Sequence, residues 1–138
     1  MPYKFLPDVA LADIAFEADA ASLNGLFESS GRALSDIMVD RRTLQVRVKK
    51  TVSLEAGDDD RLLYDFLTEL IVLKDVDSLL FKGFRVAVSG NTLSASLEGE
   101  KIDRDRHRLR NDVKAVTMHM FGVRHEGPRW KATVVLDI

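Results

Sequence analysis

Residues 84–97 read FRVAVSGNTLSASL, and this stretch settles the class of fold. On both sides of a Ser-Gly-Asn turn at 89–91, apolar side chains alternate with polar or small ones, which is the period of a half-buried strand. Glycine beside asparagine suits the short turn that joins two antiparallel strands. Residues 84–97 therefore predict a β-hairpin, with an antiparallel sheet around it.

Further strands are predicted on both sides of this hairpin. Residues 12–18 and 43–54 each alternate between apolar and polar side chains, as half-buried strands do. Residues 113–124 and 130–136 predict a second hairpin, joined across the His-Glu-Gly-Pro turn at 125–128.

Two segments between these strands have the helical period instead. The first begins after Ser22, a suitable N-cap, and ends at the Asp-Arg-Arg run 40–42. The second begins at Gly57–Asp60, whose carboxylates we interpret as caps for unpaired amides rather than as a metal site. Their apolar faces comprise Leu23, Leu26, Phe27, Leu34, Ile37 and Met38 in the first helix, and Leu62, Leu63, Phe66, Leu67, Leu70 and Leu73 in the second.

The resulting order is β-α-β-α-β-β-β-β. A chain of 138 residues supports one domain, here residues 1–138. Runs of antiparallel strands with helices to one side predict an α+β fold, with two helices on a mostly antiparallel sheet.

Composition excludes several classes of protein. Twenty basic residues against 22 acidic ones give a net charge of −2, which argues against a strongly basic nucleic-acid-binding module. Because there is no cysteine, disulfides, thiolate zinc sites and cysteine nucleophiles are excluded. The sequence shows neither a signal peptide nor a membrane segment, so a cytoplasmic protein without membrane contact is expected.

No catalytic residue is predicted. His107, His119 and His125 lack metal-ligand spacing, and neither a phosphate-binding loop nor a nucleophile elbow is present. His119 is predicted in mid-strand as a structural residue, and His107 in a polar, solvated loop. Residues 101–110 carry five basic and two acidic residues, which suits RNA phosphates, an acidic protein surface or plain solvation. No aromatic residue is interleaved there, so no stacking platform for single-stranded RNA is predicted.

The last strand ends in an acidic group. Asp137 and the main-chain carboxylate of Ile138 follow one another, and Asp13 lies on the first predicted strand. If the two terminal strands are neighbours, these oxygen anions converge, and calcium or magnesium would accept them as ligands. The alternative is that Asp137 and Ile138 simply end a strand.

Several blocks of the sequence match one known family. The most specific is DVKAVTMH at Asp112–His119, close to an acidic-Val-Lys-Ala-Val-Thr-Tyr-His block. Further matches are Leu136-Asp137-Ile138, Gly99-Glu100 with Asp103 and His107, Asp36–Asp40, and Asp65–Ile71 with Leu79-Leu80-Phe81. On these residues the chain resembles the archease family over nearly its whole length.

Three positions depart from the family pattern. Where archeases read His-Thr-Ala-Asp on the first strand, this chain reads Ala10-Leu11-Ala12-Asp13. The tyrosine of the DVKAVTMH block is Met118, and a proline expected near Lys101 is absent. None of these departures removes a proposed metal ligand.

The resemblance implies a strand–helix–strand–strand module with an insertion, and a calcium site at Asp13, Asp137 and Ile138. Magnesium and manganese stay open as alternatives. It implies a non-catalytic accessory protein that activates the GTP-dependent tRNA-splicing RNA ligase, promoting ligase guanylylation and multiple turnover. Lys114 is the candidate contact to a phosphate or a ligase carboxylate, with His107 and His119 as further candidates.

Two other functions stay open. The family resemblance also implies a chaperone or specificity modulator of a tRNA cytosine methyltransferase. A small metal-dependent hydrolase ranks last, because no base or nucleophile is visible beside the carboxylates. Direct contact with tRNA is left open.

Overall fold

The computed structural model describes residues 2–6 and 13–138. Its strands and helices follow one another much as the sequence predicts. Their order and bounds are β1 (Tyr3–Leu6), β2 (Asp13–Ala20), α1 (Leu23–Met38), β3 (Val48–Glu55), α2 (Asp59–Asp77), β4 (Leu79–Ser89), β5 (Thr92–Lys101), β6 (Ala115–Val116), β7 (Gly122–Glu126) and β8 (Arg129–Asp137). A short 3-10 turn, Arg41–Thr43, follows α1. The α+β fold predicted from the sequence is therefore confirmed.

The strands form two antiparallel sheets instead of one. In the first, β1, β2, β8 and β6 are neighbours in that order, and β7 pairs with the other half of β8. In the second, β5 lies between β3 and β4. Helix α1 packs against both β2 and β4, so the two sheets bury their apolar faces against shared helices rather than against each other.

Both predicted helix starts are confirmed. The Ser22 side chain accepts a hydrogen bond from the Gly25 amide at 3.0 Å, and the Asp58 side chain accepts one from the Arg61 amide at 2.8 Å. Each satisfies an amide that the first helical turn leaves unpaired. The acidic run at the start of α2 therefore caps the helix, as interpreted from the sequence.

The hairpin predicted from residues 84–97 is confirmed and extends further on both sides. Strands β4 and β5 pair from Ser89 opposite Thr92 as far as Leu79 opposite Lys101. Gly90 in the turn has a φ of 59°, a left-handed conformation that glycine adopts without steric cost.

Other predicted boundaries are wrong. The strand predicted over 43–54 begins only at Val48, because residue 43 belongs to the 3-10 turn and the Gln45 amide donates to the Glu100 carboxylate instead of to a neighbouring strand. The strand predicted over 113–124 is divided into β6 and β7 by a turn around His119, where Met120 has a φ of 55°. Strand β1 was not predicted, since four residues are too few to show a period. Ala10, Leu11 and Ala12, including the predicted start of the first strand, lie outside the described residues.

Alternate residues of the central strands build the core. Phe16 and Ala18 of β2, with Val134 and Leu136 of β8, are buried among helical side chains. Because side chains alternate across a strand, Asp13 and Asp137 belong to the opposite face of the sheet. Neither described helix contains a stretch apolar and long enough for a membrane span.

Candidate functional site

Asp13 and Asp137, here called the acidic pair, are direct cross-strand partners. Strands β2 and β8 are antiparallel neighbours, and their register sets Asp13 opposite Asp137. Directly opposed residues have Cβ atoms about 4.5–5.5 Å apart and point to the same face. Both residues are half-buried. The two ends of the chain thus bring two carboxylates together.

Nothing basic neutralises this pair within the described ranges 2–6 and 13–138. Neither carboxylate forms an ion pair or accepts a side-chain hydrogen bond there. Like charges directly opposite one another destabilise a sheet, and a cation between them would offset the repulsion. An all-oxygen donor set suits a hard divalent cation such as calcium or magnesium.

The pair needs a third donor from the main chain. Across residues 2–6 and 13–138, no three His, Cys, Asp or Glu side chains gather as a ready ligand set. Ile138 follows Asp137 directly, so its main-chain oxygen is the nearest candidate in sequence. The residues fit a cation that takes its other ligands from water or from a partner.

Lys114 lies beside the acidic pair through its backbone. Its amide donates to the carbonyl oxygen of Asp137 at 2.8 Å, and Ala115 is the register partner of Asp137 in β6. The Lys114 side chain is exposed. The sequence-predicted contact residue and the acidic pair are therefore next to each other in the fold.

Lys74 anchors this region, and the sequence reading did not single it out. Its buried ammonium donates to Val113 O at 2.8 Å and pairs with Asp75 and Asp112. Burial acts to lower the pKa of Lys74, but the hydrogen bonds to Asp112 and Asp75 outweigh it and raise the pKa above its ordinary value. The sequence does contain a sign that Lys74 is buried, because Lys74 continues the apolar face of α2 after Leu67 and Leu70.

His107 is buried, so the prediction of a solvated histidine is wrong. Its Nδ1 accepts the Asp103 amide at 2.9 Å, and its Nε2 lies 2.6 Å from Glu100 Oε1. This pattern assigns the neutral tautomer that carries its proton on Nε2. A partner would have to displace Glu100 or Asp103 to reach the ring, which favours a structural role for His107.

Glu100 is the centre of this buried network. Besides His107, it accepts hydrogen bonds from Arg106 and from the amide of Gln45. The hydrogen bond from Arg106 is the main cause that lowers the pKa of Glu100 to about 2, against the opposing effect of burial. The network thus connects the turn after β5 to the segment that precedes β3.

His119 lies in an exposed turn and not in a strand. The sequence prediction of a mid-strand structural histidine is wrong, because residues 118–121 leave the sheet between β6 and β7. The turn also exposes Met118 and Met120, which are 63% and 50% accessible. His119 thus stays a candidate for contact with a partner.

Known proteins match this chain over nearly its whole length. Residues 3–138 match the family described as Archease protein family (MTH1598/TM1083). The chain is 35% identical over 132 residues to protein archease of Pyrococcus abyssi, covering 92% of this chain and 93% of that one. It is 34% identical over 131 residues to protein archease of Methanothermobacter thermautotrophicus, covering the same shares of both chains.

Two solved structures share the fold. The solution structure of Methanobacterium thermoautotrophicum protein 1598 superimposes with a TM-score of 0.86 at 31% identity, over 99% of each chain. The crystal structure of an archease from Thermotoga maritima, described as a "possible chaperone", gives a TM-score of 0.70 at 20% identity, over 96% of each chain.

Proposed function

Because the chain belongs to the archease family, we propose that it activates the GTP-dependent tRNA-splicing RNA ligase as a non-catalytic accessory protein. It promotes guanylylation of the ligase and so supports repeated turnover. The register of Asp13 opposite Asp137, next to Ile138, is the observation that carries this proposal. It supports an acidic, metal-binding end of the sheet as the working surface.

The acidic pair would hold the metal. Asp13 and Asp137 supply side-chain oxygens, and Ile138 supplies a main-chain oxygen, a donor set that suits calcium. When bound, the cation would supply concentrated positive charge to phosphate or carboxylate oxygens of the partner.

The chain's own residues orient this surface. Strand pairing keeps Asp13 and Asp137 on one face, so only their side-chain rotamers have to be ordered on binding. Lys114 adds a mobile positive charge beside them, suited to a phosphate or to a ligase carboxylate. Its backbone is fixed by the bond to the Asp137 carbonyl, so only its side chain has to find the partner.

Multiple-turnover RNA ligation tests the proposal. The tRNA-splicing ligase of the same organism is assayed with sub-stoichiometric amounts of this protein, and turnover is expected to rise clearly. Asp13→Asn and Asp137→Asn should remove the stimulation, because each change deletes one anionic ligand at nearly constant volume. Unimpaired stimulation by both variants would sink the metal-site account.

Asp77→Asn is the matched control. Asp77 is exposed at the end of α2 and makes no ion pair with any described residue, so the same chemical change there should leave the stimulation intact. A comparable loss in this variant would show that the assay reports general acidity instead of the acidic pair.

The exposed Met118 and Met120 favour a second candidate function. Flexible, polarisable methionine side chains suit a surface that docks on another protein. In this alternative, the protein is a chaperone or specificity modulator of a tRNA cytosine methyltransferase. Light scattering of the methyltransferase should then fall with this protein present, and a Met118→Ser, Met120→Ser variant should lose that protection.

A further inference from the structure

A cleft beside the N-terminal strand combines aromatic rings with basic side chains. It has a volume of about 600 Å³, and its lining combines two aromatic, four basic and two acidic residues: Tyr3, Phe5, Arg41, Arg42, Lys82, Arg110, Asp36 and Asp40. The Phe5 ring is 49% accessible and contacts Tyr3 edge to face, at 5.7 Å between ring centroids. We call this the aromatic–arginine cleft. The sequence gives no hint of it, since Phe5 lies far along the chain from the arginines.

Two of the four cations that line the cleft, Lys82 and Arg110, are held in place by neutral acceptors, whereas Arg41 and Arg42 pair with Asp36 and Asp40. Lys82 donates to Leu44 O at 3.1 Å, and Arg110 donates to Asp36 O at 2.8 Å. Both acceptors are neutral carbonyl oxygens of the backbone. Arg110 comes no closer than 4.0 Å to an acidic oxygen, that of Asp40. The two side chains are therefore ordered and still available to an anion.

The cleft opens onto a strongly basic surface. Residues 40–50 and 100–110 hold ten basic and four acidic residues, whereas the rest of the chain holds ten basic and 18 acidic ones. The two segments are neighbours, because the amide of Asp40 donates to the Arg108 carbonyl at 2.8 Å. Although the whole chain has a net charge of −2, these two neighbouring segments concentrate positive charge.

Two of the four acids within these segments, Asp40 and Glu100, lie beneath the cations, whereas Asp103 and Asp105 are accessible. The side chains of Asp40 and Glu100 are only 7% and 2% accessible, whereas those of Arg42 and Arg47 are 85% and 62% accessible. A ligand therefore meets the guanidinium groups first. Within the described ranges 2–6 and 13–138, the exposed cations of these segments without an ion-pair partner are Lys49, Lys50, Lys101, Arg104 and Arg108.

We propose that the aromatic–arginine cleft binds single-stranded RNA. Phe5 stacks on a base, and Arg42, Lys82 and Arg110 contact the flanking phosphates. Guanidinium groups match phosphate geometry, and a half-exposed aromatic ring beside them is the arrangement that single-strand binders use. The basic surface of residues 40–50 and 100–110 carries the strand onward from the cleft.

RNA fits this surface better than an acidic protein does. Protein interfaces have an apolar centre, whereas protein–nucleic acid interfaces are polar and strongly positive. Here the exposed apolar side chains are few, Phe5 at the cleft and Val46 beside the basic surface. A duplex is disfavoured, because its stacked bases cannot lie on the Phe5 ring.

Fluorescence anisotropy tests the assignment on the isolated full-length chain. The probe is a fluorescein-labelled oligouridylate of about ten nucleotides, within the site sizes known for single-strand binders. We expect saturable binding that weakens steeply between about 50 and 200 mM salt, as phosphate contacts require. Phe5→Ala should weaken binding at least about fivefold, while Phe5→Trp should retain it, because stacking is lost only in the first.

Charge variants separate the cleft from general basicity. Arg110→Gln should weaken binding about threefold or more, because one charge-assisted phosphate contact is lost. Arg61→Gln is the matched control, since the Arg61 side chain is also accessible, at 58%, but lies on α2. Melting temperatures of all variants should agree with that of the parent chain, which shows that the cleft variants are folded.

Three results would overturn the inference. One is an absence of RNA binding at low salt, and another is equal binding of a blunt RNA duplex with no effect of Phe5→Ala. The third is displacement of the RNA by a poly-aspartate peptide of similar length at equal concentration, which would assign the surface to an acidic protein. None of these results depends on the ligase.

Discussion

The ammonium group of Lys74 lies 2.8 Å from the carbonyl oxygen of Val113, at the last turn of α2. On the other side of the same peptide bond, the Lys114 amide donates to the Asp137 carbonyl, also at 2.8 Å. One peptide unit thus connects helix α2 to the acidic pair. Lys74 holds the peptide unit of Lys114 in this way through Val113 and pairs with neither Asp13 nor Asp137.

Replacing Lys74 with Met should loosen this connection. The variant keeps most of the aliphatic stem but leaves the buried Val113 carbonyl without its donor, which costs about 1–3 kcal/mol. Urea denaturation should report that loss, and hydrogen exchange of the Lys114 amide should quicken. Lys49→Met, at an exposed position of β3, is the control and should change neither quantity. Unchanged exchange at Lys114 would refute the anchoring role.

The acidic pair predicts that Asp137→Asn gains stability in the absence of metal and loses the stabilisation by calcium. Without metal, Asp137→Asn should be about 0.2–1 kcal/mol more stable than the parent, because two carboxylates no longer face each other. With calcium present, the melting temperature of the parent should rise, since binding to the native state alone stabilises it. The variant should lose most of that rise. An equal rise in parent and variant would place the calcium elsewhere.

The buried Glu100 network predicts a loss of stability in acid. The pKa of Glu100 is about 2 in the folded protein, against 4.5 ordinarily, so the carboxylate stabilises the fold above pH 4.5. That contribution should fall as the pH drops from 4.5 towards 2, because the unfolded chain takes up the proton first. Denaturant titrations across this range measure the slope.

Glu100→Gln should flatten that slope and destabilise the protein at neutral pH by at least about 2 kcal/mol, since charge-assisted bonds are lost. Glu55→Gln, at an exposed position of β3, should behave as the parent does. If Glu100→Gln kept the parent's full acid sensitivity, another carboxylate would have to account for it.

Gly99 predicts a strong steric effect. A Cβ atom at this position would lie 1.9 Å from the carbonyl oxygen of Leu80, where β4 has an irregularity in its pairing. Because backbone atoms have to move, Gly99→Ala should destabilise the protein by about 3 kcal/mol or more. Gly57→Ala is the matched control, as its Cβ would meet no atom within 4 Å. Similar melting temperatures for the two variants would contradict the close approach.

Local patterns were enough to predict much of the fold. Ser22 and Asp58 act within three residues of their own position, and the hairpin turn at Gly90 joins strands that are adjacent in sequence. Such features depend on short-range geometry, which a sequence displays directly. The same holds for the alternation that sets Asp13 and Asp137 on one face, although their meeting required the two terminal strands to pair.

Contacts between residues that are distant in the sequence could not be predicted from local patterns. Phe5 reaches the arginines that follow α1 because β1 pairs with β2 at the edge of the sheet, and Lys74 reaches Val113 across 39 residues. The turn around His119 interrupts a segment whose period suggests one continuous strand. Periodicity and capping determine the helices, the hairpin and the face of each carboxylate. Only long-range packing decides which side chains share the cleft and which lysine fixes the acidic end, because those contacts depend on how whole elements assemble.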